Sequence, residues 1–339
     1  MKSKKIIFIK LLKSSFINID EEILSSSYKV TTFQFKKAKG FPVLKELFSE
    51  FFFMIYNIWN TDVIFIWFAD FHAVIPALLG WIFRKKVVIV IGGVDAAFRK
   101  DLNYGVKTRL LGRISLFLST TFATNLLPVT QFTYNSLLQN VSQKLSKKSK
   151  IIYNCYNDLF KCTENTDRKN YIVTVCSSNS KVTTLVKGVD FYVKVANTMP
   201  EYTFYVVGVN GEALEYLKSI SSENVRLLPR VPQQELKKLF CTSRVVCQFS
   251  RHEAFGVALL EGISSGCYPV GYNYGGTKEI LIDNLGVLIN KLDVAEGRKA
   301  IEKGIKMTQA DIDPIKKSID QRFLIDVRKR ELIAFIDSL

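Results

Sequence analysis

The chain has no Pro-, Gly- or Ser-rich tract; its 8 prolines and 18 glycines are scattered through 339 residues. Disordered linkers need such tracts, so a folded chain with nothing to excise is expected. Paired cysteines at zinc-type spacings are missing as well. Cys155, Cys162, Cys176, Cys241, Cys247 and Cys267 fall at unrelated intervals, several in apolar runs where a reduced thiol acts as a small hydrophobe, which reads as a reducing compartment. No stretch qualifies as a spanning helix. Val63 to Phe83 is mostly apolar, but an acid near the middle of a span costs about 2.5–3.5 kcal/mol, and Asp70, His72 and Pro76 interrupt this one. A secretory signal is not expected either, because the apolar run from Ile6 to Ile9 is short and is followed by Lys10 and Lys13.

Acidic residues are scarce in the first half. Residues 1–160 hold 22 Lys and Arg against 10 Asp and Glu, whereas residues 161–339 hold 25 against 21. A surface so cationic attracts nucleic acid or anionic lipid, and the neighbours of the charges separate the two. Here the run Phe51-Phe52-Phe53-Met54-Ile55-Tyr56-Asn57-Ile58-Trp59 follows Lys36, Lys37, Lys39 and Lys45, the mixture found where a helix rests in the interfacial plane of a bilayer. Zinc, helix-turn-helix and ribonucleoprotein signatures are all lacking, so nucleic acid is not the expected partner. The expectation is a cytoplasmic protein, peripheral on the inner face of the cell membrane.

At 339 residues the chain exceeds the roughly 250–300 at which single cores stop growing. Short β-branched and aromatic runs alternate with longer mixed segments: Lys4–Ile9, Tyr28–Phe33, Asp62–Trp67, Lys86–Ile91, Leu126–Val129 and Lys150–Tyr153 in the first half. Tyr171–Cys176, Thr203–Val207, Val225–Leu227, Val245–Phe249, Tyr268–Gly271 and Gly286–Ile289 continue the scheme in the second. Such alternation marks βαβ units and parallel sheets. The fold class is therefore α/β, with two doubly wound, Rossmann-like domains facing across a cleft. The expected divisions are an N-terminal acceptor-binding domain over 1–160, a C-terminal nucleotide-sugar domain over 161–314, and a closing helix over 315–339 packed back on the first domain.

The densest chemistry lies between Phe249 and Glu261, where Glu253 and Glu261 bracket Phe255, Gly256 and an apolar run. Eight positions of helix span roughly 12 Å, too far for two acids to share a proton or a metal. They could hold two parts of one elongated ligand, with its phosphates near the positive end of the helix between them. The plainer alternative is a helix with one favourable N-terminal acid and one solvated acid.

From Ser250 through Gly262-Ile263-Ser264-Ser265-Gly266 and Pro269-Val270 to Gly275-Gly276-Thr277-Lys278-Glu279-Ile280, the sequence resembles the family 4 retaining glycosyltransferases, which have GT-B architecture. Leu185-Val186-Lys187-Gly188-Val189-Asp190 is similar to the family's Lys-Gly-Val-Asp turn, and Tyr205-Val206-Val207-Gly208 to a strand and glycine turn of the same domain. The resemblance implies that Glu261 binds the donor ribose, Glu253 the sugar hydroxyls and Lys187 the diphosphate. Phe255 and Gly256 would line the sugar and phosphate, and Gly208 would admit the nucleotide. The Arg usually found before that Lys is absent, and Lys181 is the substitute.

The first half departs further from the family pattern. Lys10-Leu11-Leu12-Lys13-Ser14-Ser15 lacks the paired glycines of many relatives, and Gly92 stands where a His is often found. In Gly92-Gly93-Val94-Asp95, Asp95 is the polar candidate beside the sugar or acceptor, against the reading that it caps the next helix. His72 is a second acceptor-side candidate, against a purely packed role. The catalytic set is thus Glu253, Asp95 and Lys187, with Gly92, Gly93, Asp95 and His72 on the acceptor side.

Asp311-Ile312-Asp313 has the form of a metal-binding pair but lies far from every strand-end loop, so no metal and no cofactor beyond the nucleotide-sugar co-substrate are expected. The implied activity is retaining transfer from a nucleotide sugar to a glycan or lipid-linked acceptor in surface polysaccharide or glycoconjugate biosynthesis. The alternatives are a nucleotide-sugar epimerase of GT-B-like fold and a basic nucleic-acid- or membrane-binding protein without enzymatic activity.

Overall fold

The computed structural model describes residues 4–11, 14–36, 41–162 and 167–339. Leu12 and Lys13 of the first strand-end loop, and Lys37 and Lys39 of the basic stretch, lie outside them. The chain divides into two units, Met1–Asn154 with Ile325–Leu339, and Cys155–Leu324.

In the first unit, β1 (Lys5–Lys10), β2 (Lys29–Gln34), β3 (Val63–Trp67), β4 (Lys86–Ile91) and β5 (Asn125–Pro128) form a parallel sheet in the order β2-β1-β3-β4-β5. β3 is buried along its whole length and β4 from Val87 onward, as unbroken apolar runs in a sheet covered on both faces should be. The helices are α1 (Ser15–Ser25), α2 (Phe41–Asn57), α3 (Val74–Ile82), α4 (Leu110–Phe122) and α5 (Gln131–Asn140). Packing is successive, α2 on α3 and α3 on α4. The expected strand over Lys150–Tyr153 does not form. Lys150 and Ile152 donate backbone bonds to Leu126 and Pro128 of β5, but no ladder is completed.

In the second unit, β6 (Lys169–Ser178), β7 (Thr203–Val209), β8 (Val225–Leu228), β9 (Ser243–Gln248), β10 (Tyr268–Tyr272) and β11 (Val287–Ile289) pair in parallel in the order β11-β10-β9-β6-β7-β8. Its helices are α6 (Lys181–Val186), α7 (Val189–Ala196), α8 (Gly211–Lys218), α9 (Gln233–Thr242), α10 (Val257–Ser264), α11 (Gly275–Ile280), α12 (Val294–Ile305) and α13 (Gln309–Phe323). Strand order reverses between β9 and β6. In doubly wound sheets, ligands bind outside the carboxyl ends of the strands at such a reversal.

Both boundaries differ from the expected 160 and 315. The first falls after Asn154, and the closing segment is two helices rather than one. α13 stays with the second unit because Phe323 packs edge-on against Phe255 at 5.3 Å, and the Tyr156 hydroxyl bonds Asp320. Leu324 is extended, and α14 (Ile325–Asp337) then belongs to the first unit. There Arg328 is 2% exposed, forks onto Asp20 at 2.5 and 2.6 Å, and donates to the carbonyls of Ile152 and Tyr153. Asp20 also accepts the Trp67 indole N–H at 2.9 Å.

The expectation of six reduced cysteines is corrected. Cys162 and Cys241 form a disulfide, their Cα atoms 5.8 Å apart, while the other four thiols are free and buried. Spacing in sequence could not show that pairing, which closes over a separation of 79 residues. No described helix is long and apolar enough to cross a membrane.

Candidate functional site

The reversal between β6 and β9 is where the second unit gathers its charged groups. Lys187 follows α6, reached from β6, and Glu253 lies in the loop after β9. The Lys187 Nζ sits 2.9 and 3.1 Å from the two carboxylate oxygens of Glu253. Gln248 Nε2 and Ser250 Oγ also donate to Glu253 Oε2, the latter at 3.1 Å, so the carboxylate is held from three directions. It is 6% exposed. The lysine side chain is 30% exposed, leaving donor capacity toward solvent.

Backbone geometry explains why the two loops can approach. Gly188 has φ +67°, and a Cβ there would lie 1.9 Å from the carbonyl oxygen of Phe249, so only glycine allows the Lys187 turn to meet the β9 loop. Arg251 locks the contact. Its guanidinium binds both oxygens of Asp190 at 2.6 and 2.9 Å, and its backbone N–H donates to Val186 at 2.8 Å. On the other side Gly276 N–H donates to Glu253 O at 2.8 Å, and a Cβ at Gly276 would come within 2.6 Å of Ala254 O. Sequence reasoning does not mark Gln248, Ser250, Arg251 or Asp190 as site residues. Ser250 and Asp190 stand inside the motifs, but a pairing across 61 positions leaves no local mark in sequence.

The remaining donor-side residues divide. Glu261 lies on α10 and has no hydrogen-bond or ion-pair partner among the described residues; burial raises its carboxyl from 4.5 to about 8. Gly256 opens α10, Phe255 is buried against Phe323, and Gly208 lies in β7 opposite a register shift in β6. Lys181 does not join Lys187. Its ammonium stands 4.6 Å from the centroid of the Tyr216 ring.

The acceptor-side residues of the first unit are closed off. Asp95 is fully buried, and its carboxylate accepts from the N–H groups of Ala69, Gly92, Gly93 and Ala96 at 2.7–3.2 Å. Burial lifts it to about 6 despite those four bonds. It therefore shapes the Gly92-Gly93 loop and exposes no oxygen to a ligand; no helix follows for it to cap. His72 is fully buried, with Nε2 2.8 Å from Trp67 O, and desolvation lowers its pKa. Gly92 is explained sterically. A Cβ there would lie 2.2 Å from the ring of Phe68, which occupies the space a larger residue would need and is itself held at φ 71°. The Asp311 carboxylate forms a capping box with Thr308, and Asp313 accepts from Gln309, so this pair organises the start of α13. Among the described residues, no group of three or more His, Cys, Asp or Glu could hold a metal.

Residues 166–320 match the family described as glycosyl transferases group 1. That segment is a group 1 glycosyltransferase module. Curated relatives include the GPI3 subunit of the phosphatidylinositol N-acetylglucosaminyltransferase of Saccharomyces cerevisiae, 26% identical over 145 residues covering 40% of this chain and 32% of the relative. The Arabidopsis thaliana enzyme of the same name contributes a second relative, 32% identical over 130 residues, covering 36% and 29%. The chain thus matches about a third of the length of these relatives. Among solved structures, HepE of Anabaena in complex with UDP and glucose superposes with a TM-score of 0.78 at 16% identity, covering 99% of this chain and all of the other. WaaG, a glycosyltransferase involved in lipopolysaccharide biosynthesis, superposes at 0.70 and 13% identity, covering 96% and 98%. These likenesses establish the fold, which is GT-B, and the group 1 module contains Lys187, Glu253 and Glu261.

Proposed function

We propose that the protein is a retaining, metal-independent glycosyltransferase that moves a sugar from a nucleotide-sugar donor to a glycan or lipid-linked acceptor, in surface polysaccharide or glycoconjugate biosynthesis. The observation that supports this most is the half-open Lys187–Glu253 pair above the strand reversal of a group 1 module. An ammonium with donor capacity to spare suits the charge that develops on a leaving diphosphate. Glu253, fixed by Gln248 and Ser250, suits sugar hydroxyls, and Glu261, its carboxyl unengaged among the described residues, suits a ribose diol. HepE was solved with UDP and glucose, which makes uridine diphosphate sugars the first donors to try.

Retention by a front-face route needs positioning and electrostatics rather than a second carboxylate, and Asp95 is too enclosed to supply one. The basic, aromatic first half supports work at the inner, cytoplasmic membrane face. The test is a panel of nucleotide sugars screened for thermal stabilisation, with the best repeated on Glu261→Ala. A donor that raises the melting temperature of the intact protein and not of the variant is expected. No stabilisation by any donor would remove the donor-site reading, and a trapped glycosyl adduct on a side chain would remove the front-face route.

A further inference from the structure

Large apolar side chains exposed to solvent are unevenly placed. Of the 16 so exposed among the described residues, 12 lie on α2, on the short turn after it, and on α3 and α4 of the first unit. On α2 they follow one stripe. Leu44, Phe48, Phe52 and Tyr56 recur every four residues, and Trp59 continues the line, with exposures of 51, 64, 66, 85 and 72%. Spacing of four keeps side chains on one helix face, and here that face is turned outward. Trp81 extends it at the end of α3, and Leu110, Leu111 and Phe117 on α4. Patches of this extent mark interaction surfaces.

Trp59 has a second role. It lines an open pocket of about 810 Å³ at the amino ends of β1, β3 and β4, the opposite end of the sheet from the strand-end loops of the acceptor side. Lys4, Lys5, Arg84, Lys85 and Lys86 line the same pocket, with Asp62 the one acidic side chain among its lining residues. Lys4 and Lys5 are engaged, Lys4 by the carbonyls of Ile336 and Asp337 and Lys5 by Asn60. The side chains of Arg84, Lys85 and Lys86 make no bond to any described residue. Arg84 adopts φ 51°, a left-handed conformation costly for a residue with a Cβ, in the tight turn that carries all three cations. Trp59 joins this turn to the apolar face through an edge-on contact with Phe83 at 4.8 Å.

We propose that this pocket is a phospholipid-headgroup site, in which Arg84, Lys85 and Lys86 hold the phosphate of an anionic lipid while the outer face of α2–α4 rests in the interfacial plane. The proposal rests on, and deepens, the reading of a protein that works at a membrane face. Cations ringed by an aromatic stripe complement a bilayer, where charge meets phosphate and rings sit at the headgroup level. A second copy of this chain is a poorer fit, because it carries the same net charge of +16 and would bring like charges together.

The test is flotation of the full chain with vesicles of phosphatidylcholine, with or without phosphatidylglycerol. Wild type is expected on the phosphatidylglycerol vesicles alone, with Trp emission shifting to the blue. At about 1 kcal/mol per cation near an anionic surface, the triple variant Arg84→Gln, Lys85→Gln, Lys86→Gln should bind about 100-fold more weakly. Phe52→Ser with Tyr56→Ser should also weaken binding, and that loss should persist at high salt. All five positions are exposed or half-buried, and an unchanged melting temperature shows that the variants fold. Equal binding of the triple variant, binding to phosphatidylcholine alone, or self-association that these substitutions abolish without any vesicle binding would each overturn the proposal. So would displacement of the protein from vesicles by free glycerol phosphate at equal concentration, which would point to a soluble phosphate ligand. Donor-induced stabilisation of the same preparations, measured without vesicles, reports separately on glycosyl transfer.

Discussion

Two ion pairs, one in each unit, differ in what they leave over. Asp20–Arg328 is closed: both residues are at most 2% exposed, the guanidinium is divided between a carboxylate and two carbonyls, and the carboxylate also takes the Trp67 indole. Lys187–Glu253 is open on the lysine side. A saturated buried pair holds structure in place, whereas a pair with unused donors can exchange a partner for a ligand. Breaking the closed pair should therefore cost stability, and breaking the open one activity.

The largest effect on stability is expected at Arg328. Arg328→Ala leaves the Asp20 carboxylate buried without its cation, which costs about 3–5 kcal/mol. Chemical denaturation should show that loss, and replacing both residues by apolar ones of similar volume should recover most of it. If Arg328→Ala loses under about 1 kcal/mol, water reaches the carboxylate and the pair is not closed.

At the open pair, Lys187→Ala is expected to lower the transfer rate by about 100- to 1,000-fold, the range for removing one preorganised donor from a developing anion. Partly exposed pairs contribute no more than about 1 kcal/mol, so its melting temperature should hardly move. A large loss of stability with normal transfer would invert the comparison.

A third carboxylate has no partner of either kind. Glu50 on α2 is fully buried with neither oxygen bonded, and desolvation raises it from 4.5 to about 9. Between those values the folded protein holds a proton that the unfolded chain has released, so stability falls as pH rises through that window. By pH 7 the difference amounts to about 3 kcal/mol. Glu50→Leu should raise the melting temperature, more at pH 8 than at pH 5. A gain independent of pH would show that the carboxyl is not held neutral.

What could be read from sequence follows the same division. Strand positions were legible because buried parallel strands need unbroken apolar runs, and Lys187, Glu253 and Glu261 because a nucleotide sugar demands charged groups at fixed spacings. Arg251 with Asp190, Arg328 with Asp20, and Cys162 with Cys241 were not. Each joins residues at least 61 positions apart, and no local pattern encodes the partner. Asp95 and His72 misled for the opposite reason: polar residues after strands resemble site groups until burial shows that backbone groups already occupy them. Gly92 depended on Phe68, 24 positions away, whose ring fills the space.

The smallest effect is expected at Lys181, which tests how specific the open pair is. Lys181 carries the same ammonium as Lys187, in the same unit and one short helix away, yet it rests on the Tyr216 ring and faces no carboxylate. A cation over an aromatic face at an exposed site contributes about 0.5–1 kcal/mol. Lys181→Ala should therefore change donor affinity by less than about fivefold, in parallel with Tyr216→Leu. If Lys181→Ala instead matches Lys187→Ala, the ammonium leaves the ring when the donor arrives, and the diphosphate is gripped by two lysines rather than one.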